Sequence, residues 1–190
     1  MATQDTLFIQ TFYDGEPGEK LAVARRLFDE LTDLSTSPVF MDQLEEIRRH
    51  SQSLNAHMQA MDLGRLCSQC ASRPGGGCCS AFMAGNTDAI QVLINLLLGA
   101  TVTAHPDNGE NCCFLGPQGC CFPVKPIFCL NYNCTHILEF AEPEQLHTLY
   151  RLAAAVLSQQ TRIEFLLHEE LRRRGRKATR PLTGECSPNR

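Results

Sequence analysis

Residues 104–134 read AHPDNGENCCFLGPQGCCFPVKPIFCLNYNC, and this stretch decides how the rest of the chain is understood. It is broken by proline and glycine and shows neither a helical nor a strand period. A structureless loop of this length is uncommon inside a compact domain, so it needs an organiser. Its own organiser is visible in its composition: Cys112, Cys113, Cys120, Cys121, Cys129 and Cys134 all lie within it.

A second cysteine-dense stretch precedes it. Residues 67–80, CSQCASRPGGGCCS, hold a C-x2-C pair at Cys67 and Cys70 and an adjacent pair at Cys78 and Cys79. Two intervening residues let a chain curl so that both sulfurs face one ion, and the glycines before the second pair let it bend tightly.

Helical periodicity surrounds these two stretches. Leu21, Ala24, Phe28 and Leu31 recur at spacings of three and four and predict a helix from about Gly18 to Leu34. Ser37 and Pro38 have the character of an N-cap and a first helical residue, and Leu44, Ile47, Leu54, Met58 and Met61 continue an apolar stripe towards a stop at Gly64. A third helix is expected over about Thr87 to Leu98, capped by Asn86 or Thr87, ended by Gly99 and apolar enough to be the most buried. The last is expected from Pro143 to about Arg174, with Leu146, Leu149, Ala153, Val156, Leu157, Ile163, Leu167 and Leu171 on one face. The expected fold is therefore mainly α: a small bundle of about four helices with an irregular cysteine-rich metal-binding lobe. A single domain over residues 1–175 would contain cysteine loops at 67–80 and 112–134, followed by a flexible polar, basic tail at 176–190.

The chain has 190 residues, room for one domain with a real core. Hydrophobic residues make up 43% and charged residues 20%, which is ordinary for a globular protein. The net charge of −4 argues against a nucleic-acid partner. The run HEELRRRGRKATR at 168–180 has no interleaved aromatics and fits a solvated helix end whose cations suit the dipole. The first twenty residues lack a basic then apolar leader, and AIQVLINLLLGA at 89–100 is too short for a span and contains Gln91 and Asn95. These features predict a cytoplasmic protein without membrane association.

Ten of the eleven cysteines fall between Cys67 and Cys134, with Cys186 alone outside. In a reducing compartment such clustering favours metal ligands or redox thiols over structural disulfides. Zinc takes four thiolate or imidazole ligands, and an iron–sulfur cluster usually takes four thiolates. The irregular spacing and surplus thiols lean towards a [4Fe–4S] cluster over zinc. Two alternatives stand beside a metal-binding role of that kind: a zinc-stabilised protein-interaction module without catalysis, and a thiol-based redox or metal-delivery factor, for which Lys125 is the cation nearest in sequence. His105 and His136 are further candidate ligands, although a loop histidine more often bonds hydrogen or faces solvent. His50, His57, His147 and His168 fall on predicted helices and read as solvated. No Walker loop, G-x-S-x-G or H-E-x-x-H occurs, so no catalytic residue is assigned.

The order C-x2-C, Cys–Cys, Cys-Phe-Leu, Cys, Pro-Ile-Phe-Cys and a final Cys resembles the bacterial cysteine-cluster family of YkgJ type, described as a zinc- or iron-chelating domain. The resemblance covers residues 67–134, about a third of the chain. It matches Cys67, Cys70, Cys78, Cys79, Cys113, Cys120, Cys129 and Cys134, and so implies these eight as metal ligands. Lys125 and Leu130 stand where the family has arginine, and Cys112 and Cys121 are additional to its pattern.

Overall fold

The computed structural model describes residues 10, 12–73, 77–104, 111–130 and 134–178, with only the backbone for 176–178. His105, Cys186, most of the basic tail and two of the three consecutive glycines lie outside the described residues.

Among the described residues from Pro17 onward there are seven α-helices: α1 Pro17–Glu30, α2 Pro38–Ala60, α3 Leu63–Ala71, α4 Ala81–Gly85, α5 Ala89–Leu97, α6 Thr135–Phe140 and α7 Pro143–Ala178. The mainly helical class is as expected, but the count of about four is too low. The four long periodic segments are there, and α3, α4 and α6 are additional short helices of nine, five and six residues. One two-stranded antiparallel hairpin, β1 Leu115–Gly116 and β2 Gly119–Cys120, interrupts the second cysteine stretch.

Local chemistry explains the boundaries. Pro17 opens α1, and Glu16 and Glu19 form a reciprocal capping box in which the Glu16 amide donates to Glu19 Oε2 at 2.9 Å. The helix stops at Glu30, short of the expected Leu34, and continues as a 3-10 turn at Thr32–Thr36. There the Ser35 and Thr36 hydroxyls donate to the carbonyls of Thr32 and Asp33, both at 2.7 Å, and compete with the helical ladder. The buried face of α1 runs through Leu21, Ala24 and Leu27, while Phe28 is 40% exposed. Ser37 caps α2 as expected, accepting from the Phe40 amide. Gly64 does not end that helix. The break falls at Asp62, whose φ of 54° is left-handed, and Gly64 lies inside α3. The cap of α5 is Asp88, which accepts from the Gln91 amide at 2.7 Å, in place of Asn86 or Thr87. Gly99 ends α5 with φ of 82°, a conformation suited to glycine.

Two helix pairings make the core. α2 and α7 run antiparallel: His57 Nε2 meets the Gln145 carbonyl at 2.9 Å, and Gln159 Nε2 donates to Gln43 Oε1 at 2.9 Å. Phe40, Leu44, Ile47, Leu54 and Met58 of α2 are buried, with Leu149, Val156, Ile163 and Leu167 from α7. α1 packs on α5, where Lys20 Nζ donates to the Gly85 carbonyl at 2.5 Å and Arg25 to the Val102 carbonyl at 3.2 Å. Residues 89–95 of α5 are all buried, so it is the central helix its composition predicted. Among the described residues no helix is long and apolar enough to cross a membrane.

Candidate functional site

The two cysteine stretches are joined backbone to backbone. The Cys112 amide donates to the Cys79 carbonyl at 3.1 Å, beside an isolated bridge between Ser80 and Asn111. α3 carries Cys67 and Cys70 three residues apart on neighbouring positions of one face. Its backbone presses against the hairpin: a β-carbon on Gly119 would lie 2.9 Å from Gly64 Cα, and one on Gly64 would overlap the Gln118 carbonyl. Gly119 also has a φ of 107°. Glycine is needed at both positions for the helix and hairpin to touch. Ser68 Oγ donates to the Gly116 carbonyl at 2.8 Å across the same contact.

A polar clamp fixes the other end. Asn95 Nδ2 donates to the Val124 carbonyl at 2.9 Å, and its Oδ1 accepts from the Val124 amide at 2.9 Å. Gln91 Nε2 donates to the same carbonyl at 2.6 Å. Asn55 of α2 donates to the Pro123 carbonyl at 2.8 Å and accepts from Lys125 Nζ at 2.5 Å. The rings of Phe114 and Phe122, both buried, lie 4.7 Å apart beneath. The sequence marked Gln91 and Asn95 only as exceptions in an apolar helix. Their burial there is the signal that the chain packs a backbone segment against them.

A cavity of about 610 Å³ opens between α2, α3 and these segments. Cys67, Cys79, Cys112, Cys120, Cys121 and Cys129 line it, with the buried Lys125. Of the eight expected ligands, Cys67, Cys79, Cys120 and Cys129 reach it. Cys70, Cys78 and Cys134 lie outside its lining, and Cys70 Sγ packs on Gly77. Cys113 points into the hydrophobic core at 7% exposure, while its neighbour Cys112 faces the cavity. His136 is exposed but close enough for its charge to act on Cys78.

The thiols act on one another. Cys79 lies by both Cys67 and Cys78 and holds the single proton that either can accept, so its pKa is driven far up. As acceptors of that donor, Cys67 is lowered and Cys78 falls to about 6. Burial pushes Cys112 and Cys129 up to about 12 and Cys121 up to about 11, reinforced in each case by the charge of Cys120. Burial lowers the Lys125 ammonium, against the opposing pull of Cys120, Cys129, Cys67 and Cys121.

The described cysteines form no disulfide. Among the described residues no group of three or more His, Cys, Asp or Glu side chains is placed to hold a metal ion. The donor set is nonetheless soft: the cavity carries six thiols, and its one carboxylate, Asp62, is hydrogen-bonded to Arg65 Nε at 2.5 Å. Such a set suits zinc or iron–sulfur centres over hard cations. No family model, no curated protein and no solved structure matches the chain.

Proposed function

We propose that the two cysteine segments form a thiolate metal centre that takes an iron–sulfur cluster, with Cys67, Cys79, Cys120 and Cys129 as its ligands. The observation that carries this reading is the cavity of about 610 Å³ with six thiols in its walls. Zinc in a structural site is closed tightly by four ligands, whereas space on this scale favours the larger cluster. The resemblance to the YkgJ-type family, which includes all four of these residues, supports the same chemistry. When bound, the cluster would supply electron transfer or Lewis acidity.

The chain's own residues have definable parts in this reading. Lys125 brings a buried positive charge to offset thiolate charge, and the net charge around a cluster tunes its potential. The Asn95, Gln91 and Asn55 clamp holds the loop bearing Cys120 and Cys129 on the helices. Thiolate ligation releases protons, most easily from Cys67, whose pKa is already depressed. Thiols clustered in this number favour a reducing compartment and hence the cytoplasm.

A thiol-based redox or metal-delivery role is a second reading, favoured by the exposed Cys78 with its pKa of about 6 next to Cys79.

The test is metal analysis with a visible spectrum on protein purified without oxygen and without affinity metals. About four irons per chain with a broad band in the blue supports the cluster. A colourless protein with tightly held zinc turns the reading to a structural site. A metal-free protein that reconstitution cannot load and a chelator does not unfold would sink both.

A further inference from the structure

Six thiols line the cavity of about 610 Å³, and the cluster engages four of them. Cys112 and Cys121 remain. Both face the same space, and the charge of Cys121 acts on Cys112. Backbone contacts bring them to that wall. The Cys121 amide donates to the Phe114 carbonyl at 2.9 Å, which carries the hairpin one bond beyond the Leu115–Cys120 pair. The Leu115 amide donates to the Cys112 carbonyl at 3.0 Å and folds Cys112 back beside the same end of the hairpin.

Two thioethers, Met58 and Met83, complete the soft part of the wall. Met83 is half-buried on α4, where its amide donates to the capping Ser80 hydroxyl. Ser80 is bridged to Asn111, the residue before Cys112, so one backbone contact sets both Met83 and Cys112 at the cavity. Among the described residues no imidazole lines this space, and its carboxylate, Asp62, is held by Arg65.

We propose that Cys112 and Cys121, assisted by the Met83 thioether, form a second soft-metal site that takes a cuprous ion. The inference rests on the reading in which Cys67, Cys79, Cys120 and Cys129 serve the cluster. Thiolate and thioether together select copper(I) over harder ions. Two thiolates in line satisfy this monovalent ion, with a thioether as a weak third donor. The site therefore does not require the third His, Cys, Asp or Glu side chain that the described residues do not place for a metal. Each thiol gives up one proton to solvent on binding, and the copper enters and stays as copper(I), so no electron is transferred. Two thiolates and one cuprous ion leave a single negative charge. The buried ammonium of Lys125 lines the same cavity, within reach of the Cys121 charge, and offsets it.

The experiment is anaerobic titration of the reduced, metal-free full chain with copper(I) presented as its bathocuproine disulfonate complex, whose loss of colour reports transfer. The chain should take its tightest equivalent of copper from the complex and keep it against about a tenfold excess of zinc. Cys112→Ser with Cys121→Ser should lose that equivalent. Cys67→Ser with Cys129→Ser, which removes two cluster ligands instead, should retain it. Met83→Leu should retain it with affinity lowered at least about threefold. Should the Cys112 and Cys121 variant fold poorly, copper X-ray absorption of the unmodified chain at one equivalent gives the second readout, with two or three sulfur neighbours and no copper neighbour. Iron loading is followed separately by the visible band: a missing cluster leaves copper uptake intact, and a missing copper site leaves the band intact. Retention of the tightest equivalent without Cys112 and Cys121, its equal loss without Cys67 and Cys129, an unaffected Met83→Leu, displacement by zinc, or four sulfur neighbours around the copper would each overturn the proposal.

Discussion

The side chain of Asn95 holds Val124 by both backbone groups, donating to its carbonyl and accepting from its amide, each at 2.9 Å. One fully buried amide thus does for the second cysteine segment what a neighbouring strand would do. Asn95→Leu keeps the volume but leaves the buried Val124 amide without this acceptor. A loss of about 1–3 kcal/mol is expected, read by urea denaturation of the reduced protein. Cys120 and Cys121 should also become more reactive towards a thiol-specific alkylator. Unchanged stability would mean that Gln91, which bonds only the carbonyl, is anchor enough.

The Gly64–Gly119 contact makes a second prediction. A β-carbon on Gly64 overlaps the Gln118 carbonyl, a backbone atom that cannot swing aside. Gly64→Ala would ordinarily favour a helix interior. Here it should destabilise the fold by about 1–3 kcal/mol, because helix α3 must part from the hairpin. A thermal midpoint raised by the alanine would show that the helix and hairpin do not touch in solution.

These two contacts show what the sequence carried and what it did not. The long helices were legible because their apolar residues recur over many turns, and Ser37–Pro38 marks a start by its chemistry. α4 and α6 span too few turns for a period to declare itself, and α3, though nine residues long like α5, lacks the near-continuous apolar run that marks α5. Gly64 reads as a stop only because a helix end and a close backbone approach both select glycine. The adjacent pairs were equally ambiguous. A turn closed by the Leu115 amide on the Cys112 carbonyl at 3.0 Å carries Cys113 into the core, whereas Cys120 and Cys121 both reach the cavity, and spacing distinguishes neither case. Solvation of His168 was likewise misjudged, since its stacking on Tyr13 joins residues 155 positions apart.

Cys78 should be the first thiol modified near neutral pH. The hydrogen bond from Cys79 holds its pKa at about 6, whereas burial holds Cys112 and Cys129 at about 12. Its alkylation rate in the reduced, metal-free protein should rise through pH 6 and level off by pH 7–8, with roughly one thiolate available at neutrality. Cys79→Ala removes the donor and should move that midpoint upward towards the ordinary thiol value of about 8.5. Mass spectrometry of the alkylated peptides identifies the site, and a midpoint unmoved by Cys79→Ala would exclude the hydrogen bond as its cause.

The buried thiols predict alkaline sensitivity of the same metal-free protein. Cys112 and Cys129 stay protonated in the folded chain up to about 12, and Cys121 up to about 11. In the unfolded chain they ionise near 8.5. Between these limits the folded state binds more protons, so stability is fully present below about pH 8.5 and falls as pH rises towards 11–12. The depressed Cys78 works in the other direction: its contribution is present above about pH 8.5 and is lost as pH falls through about 6. Above the unfolded thiol value the Cys78 contribution is constant, so denaturant midpoints should decline steadily from about pH 9 to about pH 11, and Cys112→Ala should flatten the decline. A midpoint that is level across this range would mean that water reaches these thiols.

Serine substitution separates ligands from neighbours. Cys67, Cys79, Cys120 and Cys129 are both implied by the family resemblance and exposed to the cavity, whereas Cys113 is implied by the resemblance but packed in the core. Cys112 and Cys121 reach the cavity without any place in the family pattern. Each of the first four changed to serine should abolish the visible band and most of the bound iron after anaerobic reconstitution. Cys112→Ser and Cys121→Ser should retain both. Cys113→Ser should retain the metal yet lose about 1–3 kcal/mol of stability, because it places a hydroxyl in an apolar site. Lys125→Met should keep the cluster and lower its reduction potential, since removing a nearby positive charge disfavours adding an electron. Iron retained in all four of the first variants would move the centre to Cys70, Cys78 and Cys134, at the rim where the charges of Cys134 and Cys78 already act on Cys70.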